Sequence, residues 1–392
     1  MTSSGRLPDD ARVVVIGGGA IGVSIAFHLA EAGVPDVLLL ERDALGSGST
    51  SKAAGGIRAQ FSDPINVVLG ARSLDAFEQF AVRPGQEIDL HQTGYLFLLT
   101  TPDEVSLYER SVALQNALGV ESRMLAPDEA AALSPGVVTD DVIAAAFHAR
   151  DGYCSPESVV LGYATAARRL GARILTGVEV TGIDAQDGQV SAVLTKQGAV
   201  RTTSVVLAAG AWSQSIAGTA GVHLPVTPLR RQILVTEPIA KSTAALLPDT
   251  MPMTIDAAST FYLHREGPGV LFGMSYQDER PGFDVEYSDE WMADLMEAVS
   301  WRCPALLDVG LAHRWAGLYE VTPDHNALIG QSSTTPGFLY ATGFSGHGFL
   351  QAPAVGEIIR DLYLARRPFV DVSPLSAERF ARGDVRGEAN IV

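Results

Sequence analysis

The run Gly17-Gly18-Gly19-Ala20-Ile21-Gly22 constrains this chain more than any other feature. It follows residues 12–16, an apolar β-branched run suited to a parallel strand buried on both faces. A helix follows it to about residue 32, stopped by Gly33, and residues 36–40 form the next strand, ending in Glu41. G-x-G-x-x-G in that setting is a dinucleotide-binding turn. Gly17 makes the tight turn, Gly19 lets backbone N–H groups approach a pyrophosphate, and Gly22 lets helix and strand pack closely. Ala20 and Ile21 belong to the same cradle, and Glu41 can accept from the ribose hydroxyls of an adenosine half. The motif does not by itself separate FAD from NAD.

Composition narrows the field further. A formal net charge of −17 repels phosphate backbones and anionic lipid, so no nucleic-acid partner is expected. No segment reaches about 18 consecutive apolar residues, so no membrane span is expected. Residues 13–30 lack a basic start and carry the glycine turn, which argues against a signal sequence. The two cysteines, Cys154 and Cys303, make neither a disulfide framework nor a C-x-x-C metal site. We therefore expect a cytoplasmic protein with no metal.

Two further strand–turn–helix units follow. A helix opening at Ser155-Pro156-Glu157 runs to Leu170, then come strands at 173–180 and 200–208 and the turn Ala209-Gly210-Ala211-Trp212. The last unit is a strand at 337–342, the turn Gly343-Phe344-Ser345-Gly346-His347-Gly348, and an amphipathic helix over 349–364. Two strand-rich inserts separate the units. Residues 1–84, 149–215 and 321–392 are thus expected to form one discontinuous domain, with 85–148 and 216–320 forming a second interleaved with it.

Several motifs occur in order along the chain: the opening turn, the loop from Gly46 to Arg58, Gln92-Thr-Gly-Tyr-Leu-Phe-Leu-Leu99, Asp151-Gly152, Trp315 to Asp324, and Gly343 to Phe349. Together they resemble the FAD-dependent amine oxidoreductases of the D-amino-acid oxidase superfamily. The sarcosine oxidase β-chain and L-proline dehydrogenase β-chain group is most similar, with glycine oxidase and monomeric sarcosine oxidase as cousins. The resemblance implies an α/β plus α+β fold: a Rossmann-like, glutathione-reductase-type FAD-binding domain interleaved with an antiparallel-sheet substrate domain. It implies FAD held at both glycine turns, the second supplying N–H donors and a positive helix end to a reduced flavin. Besides the first turn and Glu41, the cofactor-binding expectation covers Arg42, Ser49, Thr50, Gly56, Ile57, Val180, Gly210, Trp212, Gly343, Phe344, Ser345, Gly346, His347, Gly348 and Phe349. Arg42 can lie over the adenine, Ser49 and Thr50 can bond the pyrophosphate, and Val180 resembles an adenine-contacting backbone position.

The implied reaction is oxidation of a small secondary or N-alkyl amino acid resembling sarcosine, proline or dimethylglycine. Hydride leaves the α-carbon for flavin N5, and the imine hydrolyses. Two other readings stay open: oxidation of a hydroxy acid or polyol phosphate, and a flavin-bearing subunit working beside an α-chain or other electron-accepting subunit. A dicarboxylate or phosphate would need two or more convergent arginines, and the cavity strands show few basic residues besides His264 and Arg265.

Candidate catalytic residues are Arg58, Tyr262, His264, Tyr319 and His347. Arg58 ends the flavin-side loop and resembles an arginine near the flavin in sarcosine oxidases. Tyr262 and His264 alternate onto one strand face, where either can orient the amine and His264 can accept its proton; a histidine on an outer face is the equal alternative. His347, inside the second turn, is open to a packing or a catalytic role. Tyr319 stands where glycine and D-amino-acid oxidases place an arginine clamp, and can donate one hydrogen bond only. A carboxylate clamp would have to come from Arg58, Arg230, Arg231, Arg265 or Arg314, of which Arg58 is the preferred candidate and the run Arg230-Arg231 otherwise reads as a strand with one arginine exposed.

Departures from the family pattern bear on chemistry. The tethering cysteine of monomeric sarcosine oxidases falls at Gly317, so FAD is expected to be non-covalent. The histidine that carries FMN in sarcosine oxidase β-chains falls at Pro156. Two lysines of monomeric sarcosine oxidases fall at Leu271 and Leu350, and loss of that charge predicts sluggish reaction of reduced flavin with O₂.

Overall fold

The computed structural model describes residues 6–390. Its first layer is a six-stranded sheet in the order Leu328–Gln331, Phe338–Thr342, Val205–Leu207, Val13–Ile16, Val37–Glu41, Arg173–Thr176. All neighbours are parallel except the edge pair Leu328–Gln331 and Phe338–Thr342. Alternation explains why these strands are apolar throughout. Val13, Val15, Val37 and Leu39 join the core beneath the helices. Val14, Ile16, Leu38 and Leu40 join a second core on the other face.

Three helices cover the first face: Ala20–Glu31 packs between Pro156–Arg169 and Gly348–Tyr363. The other face is covered by a three-stranded antiparallel sheet, Val180–Gln186, Gln189–Thr195 and Gly198–Arg201. The expected strand at 173–180 is in fact two, broken where Gly177 adopts φ +74°. The expected strand at 200–208 is likewise two, Gly198–Arg201 and Val205–Leu207, with the Thr202 hydroxyl accepting from the Ser204 N–H between them.

The second layer is an eight-stranded sheet drawn from residues 95–148 and 227–321. It is antiparallel apart from one parallel pair, Tyr95–Leu99 beside Met253–Asp256. Its outer face packs on the helix Met292–Arg302 and on Trp291, both in one apolar cluster with Leu96, Leu234 and Phe272. Its inner face carries Tyr95, Met253, Ile255, Tyr262 and Ile233 toward the first layer. No described helix is long and apolar enough to cross a membrane.

Candidate active site

Between the two layers lies a cavity of about 560 Å³. One end is built by the opening turn. Gly17 sits at φ +108°, and a Cβ there would lie 2.3 Å from the Ala208 carbonyl oxygen. A Cβ on Gly22 would lie 1.9 Å from the Gly17 carbonyl oxygen, so only glycine lets the helix start directly under the turn. Glu41 accepts from the Gly18 N–H (2.7 Å) and the Asp43 N–H (2.9 Å), which ties the acidic strand end to the turn. Thr50 Oγ1 accepts from the Ala20 N–H (3.1 Å), and Ser49 donates to the Leu318 carbonyl (2.6 Å). Val180, Gly210, Trp212 and Arg42 also line this end, and the Arg42 guanidinium stacks 3.8 Å from the Trp212 ring centre.

At the other end, Gly346, His347, Gly348 and Phe349 reach the cavity wall, whereas Gly343, Phe344 and Ser345 do not. The Gly343 N–H is taken by the buried Glu320 carboxylate (3.0 Å), Phe344 is in the core, and the Ser345 hydroxyl accepts from the Thr322 N–H (3.1 Å). These three residues hold the turn's shape from behind. Ile57 is also a correction: it is buried in the core beneath the helices, and Gly56 and Arg58 on either side face the cavity instead. The last long helix starts at Gly348 with no side-chain cap, so its first-turn amides and positive end are directed toward the cavity.

Arg58, Tyr262, Tyr319 and His347 all line this end. Arg58 is buried and donates to the carbonyls of Gln60 and Asn390, with its guanidinium 4.2 Å from the Phe61 ring centre. His347 packs edge-on against Phe61 (5.0 Å), and burial, with Arg58 adding to it, holds its pKa well below the ordinary range. Burial raises the phenols of Tyr95, Tyr262 and Tyr319.

His264 does not line the cavity. Its ring lies against Tyr153 (4.2 Å between centres), with Nδ1 2.6 Å from the Arg265 carbonyl and Nε2 3.0 Å from that of Ala54. Burial pulls its pKa down to about 4. Two residues along the strand from Tyr262 carry it past the cavity to the back of the 53–56 loop. Its ring packs there, outside the cavity lining, with both nitrogens facing backbone carbonyls.

Two wall residues, Tyr95 and Lys52, escaped the sequence reading, whereas Arg231 stood there among the possible carboxylate clamps. Tyr95 places its hydroxyl where a Cβ on Gly56 would come within 1.8 Å, and Lys52 and Arg231 both reach the wall. The periodicity of the strand Thr227–Thr236 was the available signal for Arg231, but which face is buried required the partner strand. Arg230 turns outward to Glu279 (3.0 Å) and Asp284 (2.9 Å). Leu271 sits in an apolar cluster with Ile233 and Val235, and Leu350 lines the cavity as a buried leucine. The cavity nonetheless carries a lysine, because Lys52 enters from the 50–52 turn. Leucines at 271 and 350 thus remove the charge expected at those two positions without leaving the cavity free of lysine.

The protein-family model described as FAD dependent oxidoreductase matches residues 12–362. The chain belongs to this family. Among FAD-dependent oxidoreductases of known structure, it is similar to L-proline dehydrogenase from P. horikoshii, with a TM-score of 0.90 and 34% identity over 97% of this chain and 100% of that one. It is 30% identical to the mitochondrial dimethylglycine dehydrogenase of Rattus norvegicus over 95% of this chain and 45% of that protein. It is 31% identical to the 4-methylaminobutanoate oxidase (formaldehyde-forming) of Paenarthrobacter nicotinovorans over 97% of this chain and 47% of that protein. The chain thus spans less than half the length of these two curated relatives.

The residues fit FAD. Gly17 and Gly22 let the turn close with the helix packed directly beneath it, Gly19 leaves the turn's backbone open to a pyrophosphate, Glu41 stands at the adenosine end, and the start of the last helix faces the flavin end. Gly22→Val is expected to lower the flavin-to-protein absorbance ratio of the purified protein at least tenfold, because its side chain displaces the Gly17 carbonyl. A full flavin complement in that variant would contradict this use of the turn.

Proposed function

We propose that this FAD-dependent oxidoreductase oxidises the C–N bond of a small secondary or N-alkyl amino acid. The observation that carries the reading is the chamber at the flavin end, where Arg58 meets Tyr95, Tyr262 and Tyr319. Acids on the cavity wall are engaged elsewhere: Glu41 and Asp43 with the first turn and Arg42, Glu179 with Lys196, and Glu320 with Thr342 and Gly343. A buried guanidinium suits the carboxylate of an amino acid. A chamber with cations and no free carboxylate disfavours an ammonium, so the bound amine's pKa is lowered and its neutral form, with the lone pair available, is the one that reacts. Bound FAD supplies a two-electron acceptor. The protein's residues anchor the carboxylate, orient the α-carbon and keep bulk water out with apolar walls. The amine loses a hydride and a proton, and water adds to the resulting imine to release amine and carbonyl compound.

Relatives support the amine class, since dimethylglycine dehydrogenase and L-proline dehydrogenase are named for such substrates. We also propose an α-chain or other electron-accepting subunit as partner. A second cavity of about 710 Å³, which shares Lys52, Ala53 and Ala54 with the first and includes Pro156, supports that reading. Two free, buried cysteines suit the cytoplasm. Neither cysteine lines the first cavity, which supports non-covalent FAD; acid precipitation is expected to leave the flavin in the supernatant.

Anaerobic bleaching of the flavin by sarcosine, proline, dimethylglycine or opines, and not by hydroxy acids, is the expected outcome. Bleaching by hydroxy acids alone would overturn the amine reading. The limiting rate of bleaching is expected to rise with pH as the bound amine loses its proton, at a pKa below that of the free amine because Arg58, Arg231 and Lys52 line the same cavity. Stopped-flow measurement across pH checks the sign, and a rate that falls with rising pH contradicts it.

A further inference from the structure

Arg231 reaches the cavity from a different wall than Arg58. Arg58 follows the short strand Gly56–Ile57 in the flavin-side loop, whereas Arg231 stands on the strand Thr227–Thr236 opposite Gly317. Both guanidiniums act on one phenol: Arg231 lies 5.4 Å from the Tyr319 ring centre, and both arginines oppose the burial that raises its pKa. They are two cations on one chamber.

Neither has a carboxylate within 4 Å among the described residues. Other arginines of the same layer do. Arg230 meets Glu279 (3.0 Å), Arg265 meets Asp249 (3.0 Å), Arg302 meets Asp141 (2.7 Å) and Asp256 (3.1 Å), and Arg314 meets Asp289 (3.6 Å). Arg231 makes one protein hydrogen bond, from Nη1 to the Arg230 carbonyl (3.1 Å), and its buried Nε has no partner. Glu279 favours its charge but is held by Arg230. Burial accordingly pulls the Arg231 guanidinium below its ordinary pKa. A charge left in that state costs free energy unless an anion meets it, and one carboxylate already has Arg58 to meet.

We propose that the chamber takes an amine carrying two acidic groups, such as an N-(carboxyalkyl) amino acid, with one acid on Arg58 and the second on Arg231. The assignment rests on the amine reading above and narrows it. It also meets the condition a dicarboxylate imposes, two convergent arginines, which the sequence alone did not display. Arg231 is on this account a specificity-determining residue. Its Nε and remaining Nη can present a fork to a carboxylate, with the Tyr319 ring as a floor beneath it.

The test uses the FAD-loaded enzyme and two thioethers that have no nitrogen to oxidise. Thiodiacetate carries two carboxylates and (methylthio)acetate one; both are titrated against the flavin absorbance spectrum. In the wild type, thiodiacetate is expected to bind at least tenfold more tightly. In Arg231→Gln the preference is expected to fall to near one, and Arg231→Lys is expected to restore part of it. Equal binding of the two thioethers to the wild type overturns the proposal without any variant. A preference that persists in Arg231→Gln overturns the assignment to Arg231, as does an equal loss for both ligands, which would place Arg231 on the shared carboxylate or on the flavin. Iminodiacetate and sarcosine are then compared for anaerobic bleaching, with iminodiacetate expected to show the lower half-saturating concentration. Tight thiodiacetate binding with no bleaching by either amine would refute the amine reading while leaving the two-anion site standing.

Discussion

Replacing Arg379 with leucine is expected to lower the folding free energy by about 3–5 kcal/mol, the cost of leaving one member of a buried ion pair alone. Arg379 and Asp324 are each 1% exposed at the side chain, and the guanidinium donates to both carboxylate oxygens, at 2.8 and 2.7 Å. It also donates to the carbonyls of Ala327, Leu375 and Asn326. This pair fixes residues 322–327, and Thr322 in turn bonds Ser345 at the back of the second glycine turn. Stability and flavin affinity should therefore fall together. Urea denaturation followed by flavin fluorescence and by backbone circular dichroism checks both, and a loss under about 1 kcal/mol would refute the role given to the pair. The double variant Asp324→Leu with Arg379→Leu should recover much of the loss, because no charge is then stranded.

The same pair sets a pH dependence. Burial acts to raise the Asp324 carboxyl, and the Arg379 hydrogen bonds and charge outweigh it, so the folded pKa lies below the ordinary 3.8. A depressed carboxylate pKa contributes stability above its unfolded value, and that contribution is lost as pH falls through the lower folded value. In Asp324→Asn, whose side chain does not titrate, the slope of stability against pH in the acid range should be shallower than in the wild type. An unchanged slope would show that Asp324 is not the group responsible.

Arg58→Leu is expected to lower kcat/KM for an amino-acid substrate by about a hundred- to a thousandfold, the usual cost of deleting one partner of a buried charge pair. Arg58→Lys should recover little, because an ammonium cannot reproduce the guanidinium fork that reaches Gln60 and Asn390 while facing the chamber. Arg58 also ties the C-terminal strap at Asn390 to the 58–62 loop, so some stability is lost as well. The substrate role is separated from the structural one by titrating (methylthio)acetate, whose affinity should drop with kcat/KM. A destabilised variant that keeps its analogue affinity would leave Arg58 a structural residue.

The dinucleotide turn was legible because its signals are local. Gly17 and Gly22 are set by a backbone angle and by a contact five residues away, and the alternate burial of Val13 to Ile16 follows from a period of two. Glycines at 343–348 marked the start of the last helix for the same reason, although Glu320 captures the Gly343 amide from a distant strand and turns half of that turn away from the cavity. His264 was placed on the right strand and beside Tyr262, yet the cavity ends between them, a boundary set by the 53–56 loop and Tyr153.

What the sequence by itself determined is the dinucleotide end of the cavity, since that depends on spacing and residue type within about 30 positions, while the fold class rested on a resemblance carried by motifs along the whole chain. Which of the candidate residues share a chamber was decided only by the tertiary structure. Arg230 and Arg231 are adjacent in the chain, and register against Leu318 and Gly317 sends one out to Glu279 and Asp284 and the other in beside Tyr319. Lys52, Arg58 and Tyr95 reach that chamber from segments more than 130 residues before it. A side chain's direction in a sheet depends on a partner strand that can lie anywhere in the sequence, and no local pattern carries that information.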